Sequence, residues 1–458
     1  MADAAKQAAE SNESAQKTRE SSAPVESLDN SLTKLAKYGG FDLLEAVIEG
    51  AQNLNPERKA RKNIFLSDSS KKEERASLKS KLERWLEIVQ SSDNISEMVE
   101  TATQKSEEVG KRLKSNLKKA VEASRELEVS YRSLNLFYKN TESDKLKNVT
   151  IVNASKEQLT DLDAPKFIDY ISNEFKQNYD RLDLRNNYSI LCLPGYLGSN
   201  SVVEKWAKIA HQNKVMLVTD FMDVDNPDDT VDMFTEANLT GGDLHRSNVM
   251  MACNYIVGRP KNEEIDEEED LMVPPSSALA GKLYHTLMSQ VTAGKKHGGM
   301  NEVDGVRYDL KKSEISAMDK AGLIPMVSEY GKVMAFSSKT LFNGDNIGLQ
   351  TYSVVRVFDY INKVLIDFLN RRAFENWTAK TEADLRGQIV RFLDTIKGPD
   401  KLIEKFRVIR FERDELQKDR IYLDINITPY FPAKSFVLKL DGHKGDDGAE
   451  WETATEQS

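Results

Sequence analysis

Four stretches carry residue types that could do chemistry. The first is Leu193-Pro194-Gly195-Tyr196-Leu197-Gly198, between a predicted strand and a predicted helix, where a phosphate-binding loop would sit. It lacks the third glycine of G-x-G-x-x-G and the Lys-Ser/Thr pair of a P-loop, so an ordinary strand-to-helix turn is the better reading. The second is Ala293-Gly294-Lys295-Lys296-His297-Gly298-Gly299, glycine-rich and basic, whose order fits neither phosphate motif. It reads as a mobile loop. The third is the set Asp220, Asp223, Asp225, Asp228 and Asp229. A calcium loop counted from Asp223 needs glycine sixth and glutamate twelfth, yet Asp228 and Phe234 stand there. These aspartates read as a polar loop that caps a helix near Val231. The fourth is the histidines, His211, His245, His285, His297 and His443, which form no H-x-x-x-H pair and have no cysteine nearby to complete a zinc set. With no serine in a G-x-S-x-G elbow either, the sequence offers no catalytic, cofactor or metal residue.

The bulk numbers narrow the class further. The 458 residues leave room for two or three domains, and a formal net charge of -10 argues against nucleic acid as a partner. Cys192 and Cys253 are too few for a disulfide framework and fit a reducing compartment. No apolar run approaches the roughly 20 residues of a membrane span, and the first residues have no apolar core of a secretory signal. A soluble, cytoplasmic protein is expected.

The elements follow from periodicity. Residues 1–26 are polar and low in complexity and are expected to be disordered. Leu28, Leu32 and Leu35, then Leu43, Leu44, Val47 and Ile48, mark two short amphipathic helices separated by Gly39-Gly40. The basic run Arg58-Lys59-Ala60-Arg61-Lys62 reads as a solvated linker. Leu78, Leu82, Trp85, Leu86 and Val89 predict a third helix. After the cap Ser91–Asn94, a very long helical pattern runs from Ile95 to about Tyr138, its apolar spacing interrupted near Gln104 to Glu108. Its stripe includes Leu113, Leu117, Val121 and Leu127 at near-heptad spacing, and such a stripe needs a partner helix to bury it. From Val149 to Gly258 strands and helices alternate: strands at Val149–Val152, Tyr188–Leu193 and Val215–Thr219, helices at Lys166–Phe175 and Ser201–His211. This is a βαβ signature. Glu263 to Asp270 is an acidic surface insertion, bounded as 261–275.

The last quarter has its own pattern. Tyr352–Arg372 predicts a helix with Val354, Val357, Phe358, Ile361, Val364, Leu365, Phe368 and Leu369 on a buried face, and Arg356, Asp359, Lys363 and Asp367 on the opposite, wet face. A second helix spans about Thr381–Ile396 and stops at Lys397-Gly398-Pro399. Alternation then takes over, with Ile421, Leu423, Ile425 and Ile427 on one face, and Phe436, Leu438 and Leu440 after a proline-rich connector at Pro429–Pro432. Glu412–Lys418 reads as a second flexible connector. An acidic, disordered tail is expected from Asp441. The predicted class is α+β: a helical region at 27–145, a central mixed α/β region at 146–340, and a two-helix plus β-strand unit at 341–440, with the tail at 441–458.

Two stretches resemble a known family. Arg132-Ser133-Leu134-Asn135-Leu136-Phe137-Tyr138-Lys139-Asn140-Thr141-Glu142, followed by Val149-Thr150-Ile151-Val152-Asn153-Ala154-Ser155-Lys156-Glu157-Gln158-Leu159, resembles the large subunit of the type VI secretion contractile sheath, the TssC family. Ser133 stands where that family usually has glycine, and Tyr131 where it has tryptophan. The helix Tyr352–Arg372, Phe374-Glu375-Asn376-Trp377, the helix ending at Gly398 and the strands around Ile421 and Phe436 resemble the same family and, more distantly, phage tail sheaths. The resemblance runs patchily from Tyr131 to Leu440, and the acidic insertion is outside its pattern.

The resemblance implies a non-enzymatic machine part without cofactor. A large and a small subunit would pair through long helices, here Leu113, Leu117, Val121 and Leu127. The pairs would polymerise into a helical tube around an inner tube of hexamers, anchored on a baseplate. Terminal strands, here Ile421, Leu423, Ile425, Ile427, Phe436, Leu438 and Leu440, would complete a neighbour's sheet. Contraction would be a rigid-body change that needs no nucleotide. An AAA+ ATPase would recycle the spent sheath through a short helix, here Leu28, Leu32 and Leu35. The competing readings are the sheath of a phage-like extracellular injection particle and a nucleotide-binding enzyme on the central βαβ region.

Overall fold

Long apolar runs bounded by helix caps dictate the centre of the chain. The computed structural model describes residues 67–90, 93–142, 146, 148–185, 187–444 and 449–457, with main chain alone from 439 onward. The chain divides into two units, residues 1–122 and 123–458.

In the first unit, helix α1 spans Lys72–Gln90 and leaves Leu82, Trp85 and Leu86 exposed. Helix α2 begins at Ile95, where Asn94 Oδ1 accepts the Ser96 N–H at 2.9 Å as a cap. It runs unbroken to Thr141, as the long helical pattern predicts, and the polar stretch Gln104–Glu108 interrupts only the apolar spacing. Its 47 residues span about 70 Å at the usual rise.

The second unit is built on a five-stranded sheet in the order β1-β2-β3-β6-β7; β4 (Ile256–Arg259) and β5 (Leu271–Val273) form a separate antiparallel pair. The helices α3 (Lys156–Thr160), α6 (Pro227–Ala237), α8 (Gly294–His297) and α9 (Lys312–Ala321) lie between the elements named below. Strands β1 (Ile190–Leu193), β2 (Met216–Asp220), β3 (Val249–Cys253) and β6 (Ile324–Glu329) are mutually parallel. Strand β7 (Lys332–Ala335) returns antiparallel through Tyr330-Gly331, both at positive φ, as a tight hairpin requires. Helices cover both faces, which is why β2 and β3 are buried throughout and read as continuous apolar runs. On one face Trp206 of α5 (Asn200–Gln212) and Ile168 of α4 (Lys166–Tyr179) pack with Phe221, Phe234, Met251 and Met318. On the other, Leu136 of α2, Leu279 and Leu283 of α7 (Ser276–His285), and Tyr352 pack on Met216, Val218 and Met250.

Helix α10 (Tyr352–Arg371) continues from that layer into a third core with α11 (Ala379–Ile396), where Val357, Ile361, Leu385, Ile389, Leu393 and Phe411 are buried. The antiparallel hairpin β8 (Ile403–Arg413) and β9 (Ile421–Pro429) covers it. A separate hairpin pairs β10 (Phe436–Lys444) with β11 (Ala449–Gln457). The fold is α+β.

Several local expectations are corrected. Val149–Val152 pairs with no strand among the described residues; its alternation suits β geometry without naming a partner. The face expected to be wet on α10 is largely covered, with Arg356 and Lys363 buried and Asp359 and Asp367 half-buried, whereas Phe358 of the expected buried face is 42% exposed. Arg356 donates to Leu283 O, Lys363 to Tyr188 O, Asp367 accepts from Leu184 N, and Asp359 accepts from Asn248 Nδ2. Main-chain groups and the Asn248 amide supply these bonds, leaving Arg356 Nη1 unpartnered among the described residues, so a polar stripe was no guide to exposure. The acidic insertion is anchored: Ile265 is buried, and Glu267 pairs with Arg259, which also binds Glu128 of α2. Arg259 holds the Glu267 carboxyl down to about 2. The glycine-rich loop contains a short helix, Gly294–His297, and a bridge from Gly299 to Met334. Glu412–Lys418 is a closed hairpin tip in which Asp414 accepts from Leu416 N, Gln417 N and Tyr422 Oη. The expected disordered tail from Asp441 holds paired strand at 441–444 and 449–457.

Candidate partner-binding surfaces

The residues singled out for partner contact fall into three structural situations. Leu113, Leu117 and Leu127 project from α2 at 68%, 41% and 73% exposure, and Val121 is half-buried. Toward its C-terminus the same helix leaves Tyr131, Leu134 and Tyr138 exposed as well. Its last turns are pinned: Asn140 Nδ2 donates to Asn301 O and its Oδ1 accepts from Asn301 N. Lys282 pairs with Glu142 at 2.6 Å. The backbones of α2 and α7 approach so closely that a Cβ on Gly281 would sit 2.3 Å from the Phe137 carbonyl oxygen. The C-terminal end of α2 is thus fixed in the central core.

Ile421, Leu423, Ile425 and Ile427 are half-buried and pack on the α10–α11 core of their own chain. Phe436 and Leu438 differ. They are 65% and 54% exposed, and Val437 on the opposite face is 71% exposed. The described side chains of β10 are thus exposed on both faces, and a two-stranded hairpin by itself has little stability. Leu440 lies in the same strand, with its side chain outside the described residues. Leu28, Leu32 and Leu35 lie outside the described residues altogether. Sequence periodicity grouped these strands together; only the packing separates the set its own core claims from the set left open.

The stretches weighed for chemistry take structural roles. Gly195 and Gly198 adopt φ of +92° and +87°, which explains both glycines. The Gly195 N–H, which a phosphate would need, is donated to Asp220 Oδ2 at 2.8 Å. Asp220 is fully buried and also accepts from Ser276 N at 2.8 Å and Ser276 Oγ at 2.5 Å. Burial pushes its carboxyl up to about 7 against these three donors. Asp223 pairs with Arg307, and Asn226 caps the helix Pro227–Ala237. Burial raises the Cys192 thiol to about 12 and the Cys253 thiol further, which disfavours the reactive thiolate at both. Among the described residues no group of His, Cys, Asp and Glu is placed to hold a metal. None of their helices is long and apolar enough to cross a membrane.

The described residues make an α+β fold, and comparison with known families gives its class. A profile described as TssC/VipB-like, N-terminal region, matches residues 28–117. One described as Type VI secretion system TssC/VipB, central domain, matches 119–343, and a TssC/VipB-like C-terminal domain matches 351–457. The chain belongs to the TssC/VipB family of the type VI secretion system.

Among solved structures, the chain is similar to one of the anti-feeding prophage baseplate, at 16% identity and a TM-score of 0.49, over 68% of this chain and 80% of that one. It is similar to one of the anti-feeding prophage helical sheath in the contracted state, at 17% identity and a TM-score of 0.47, over 69% and 81%. A third is the contracted sheath complex of an extracellular contractile injection system, PVC, at 13% identity and a TM-score of 0.44, over 66% and 90%. No curated protein matches the chain.

Proposed function

We propose that this chain is the large subunit of a type VI secretion contractile sheath in the bacterial cytoplasm. It pairs with a small sheath subunit through Leu113, Leu117, Val121 and Leu127, and the pairs polymerise into a helical tube around an inner tube of hexamers, built from a baseplate. Contraction repacks rigid subunits without nucleotide, and an AAA+ ATPase recovers the spent sheath through Leu28, Leu32 and Leu35. The domain limits proposed above, at 27–145, 146–340 and 341–440, separate the pairing helices, the central body and the unit that tethers neighbours. Phe436, Leu438 and Leu440 are the better candidates for that tether; Ile421, Leu423, Ile425 and Ile427 support it from within the chain's own core.

The observation that carries this reading is the outward apolar series on α2 in a chain of this family. Leucines 68% and 73% exposed on a helix fixed at one end leave apolar area that a helical partner would bury. Co-expression with the small sheath subunit tests it. The wild type forms long hollow tubes in negative-stain micrographs, and Leu117→Asp abolishes co-purification because a buried unpaired charge costs several kcal/mol. Discrete particles from the wild type, or a normal yield of complex with Leu117→Asp, would overturn the reading.

A further inference from the structure

Phe374, in the turn between α10 and α11, is out of place by two measures. It is fully exposed, and its backbone takes φ +68°. Left-handed backbone is an outlier for a bulky side chain and persists only where the surroundings fix it. Here they do. Arg372 Nη2 donates to Glu375 Oε2 at 3.0 Å and to Asp384 Oδ2 at 2.9 Å. Trp377 meets Phe411 edge-on with ring centroids 5.4 Å apart, and Thr378 Oγ1 caps α11 by accepting from Thr381 N at 3.1 Å. The turn therefore holds one aromatic ring out in water on a braced loop. A ring held this way enters a pocket with little further ordering cost.

The same chain carries a cavity that suits such a ring. About 330 Å³ lies between Leu159, Tyr196, Met222 and Tyr255, and the exposed Lys156 and Asp223 mark its mouth. Its wall is firm: Tyr196 meets the buried Phe221 edge-on at 5.2 Å, and the neighbouring Gly195 N–H is held by Asp220. An apolar cavity of about 150 Å³ is enough for one benzene ring. Phe374 does not fill the cavity of its own chain, because that ring is exposed.

Position explains why. Helix α10 runs along the amino-terminal edge of the central sheet. Its Asp359 meets Asn248 and Lys214, which precede β3 and β2, and Lys363 reaches Tyr188 O just before β1. Asn370 reaches Leu182 O, and Phe374 follows beyond that edge. The cavity lies past the opposite, carboxyl-terminal edge, with Tyr196 after β1, Met222 after β2 and Tyr255 after β3. A knob at one pole of the sheet and a hole at the other meet between copies, not within one. Such a contact is heterologous and runs head to tail, so it propagates instead of closing a dimer.

We infer that Phe374 of one copy seats in the cavity of the next, against Tyr196, Met222 and Tyr255. The inference rests on the proposed function and gives the tube a side-chain contact between large subunits. Two tyrosine rings and a thioether offer the seated ring aromatic and sulfur contacts beyond its buried area.

Two measurements on the full chain assembled with the small subunit test this. In the first, copies with Ala373→Cys, beside the knob, are mixed with copies with Lys156→Cys, at the mouth, and treated with a short bismaleimide. Linked pairs of large subunits form only in the mixture, and the double variant gives a ladder. In the second, Phe374→Gly raises the concentration left soluble after tubes are pelleted at least about tenfold. The urea midpoint of the free Phe374→Gly chain stays level or rises, because glycine accepts that backbone conformation freely. Linked pairs from Ala373→Cys alone would show knob against knob, and tubes of normal yield without linked pairs would show the cavity unvisited; either overturns the inference. So does a soluble concentration that Phe374→Gly leaves unchanged, whatever becomes of the cysteine variants. If wild-type tubes form and these tests fail, only this inference falls; if wild type and small subunit form no tubes, the sheath assignment falls with it.

Discussion

Replacing Asp220 with alanine removes the acceptor on which three parts of the central body converge. Its Oδ2 holds the Gly195 N–H of the β1–α5 turn, its Oδ1 holds the Ser276 N–H at the start of α7, and the Ser276 hydroxyl also donates to it. The Ser276 hydroxyl can turn to another acceptor, but two main-chain N–H groups are left without one. Each such loss costs about 1.5–3 kcal/mol, and relief of the carboxyl's own burial returns part of it. The net loss is about 3 kcal/mol, or about 4 °C in the unfolding of a body of this size.

Urea titration of the purified chain, followed by circular dichroism, measures the loss directly. The pH dependence gives a second reading. Burial raises the carboxyl to about 7 in the fold, above the 3.8 of a free aspartate. Between those values the folded state binds more protons than the unfolded one, so Asp220's contribution is full below about 4 and declines as pH rises through 7. The cost of Asp220→Ala is therefore larger at pH 5 than at pH 8. A cost below about 1 kcal/mol, or one that grows with pH, would show that the three donors outweigh burial and that the carboxylate is charged in the fold.

Two further substitutions probe the same body. Gly281→Ala sets a Cβ 2.3 Å from the Phe137 carbonyl, a rigid neighbour, so α2 and α7 separate at a cost of about 1–3 kcal/mol or more; a urea midpoint unchanged from wild type would contradict that close approach. Arg356 is buried with Nη1 unpartnered among the described residues, and burial pulls its guanidinium down to about 10, so Arg356→Met leaves stability unchanged or raises it by about 1 kcal/mol in thermal unfolding. A clear loss would mean that this guanidinium gains a partner in the folded chain.

Much of the architecture was legible because period and capping are local properties. The α1 and α2 helices, the βαβ alternation and the α10–α11 pair follow from apolar spacing, and the Gly195 and Gly198 turn follows from residues that tolerate positive φ. The rejection of a phosphate loop was also local, since Leu193–Gly198 lacks the motif whatever surrounds it. The strand β8 escaped notice because Ile403–Arg413 interleaves apolar residues with Glu404, Lys405, Arg407 and Arg410, which hides its period.

What a residue touches is a property of the whole fold, and there the tertiary structure decided. Arg356, Asp359, Lys363 and Asp367 look like a wet helix face because side-chain chemistry is all a sequence displays; main-chain and amide groups brought from Leu283, Tyr188, Leu184 and Asn248 let them be covered. Ile421–Ile427 and Phe436–Leu438 carry the same alternation, and only the third core distinguishes a hairpin that is already covered from one that is open. Val149–Ala154 has the alternation of a strand, but a strand is completed by hydrogen bonds to another stretch of chain, and those bonds depend on which edge lies within reach.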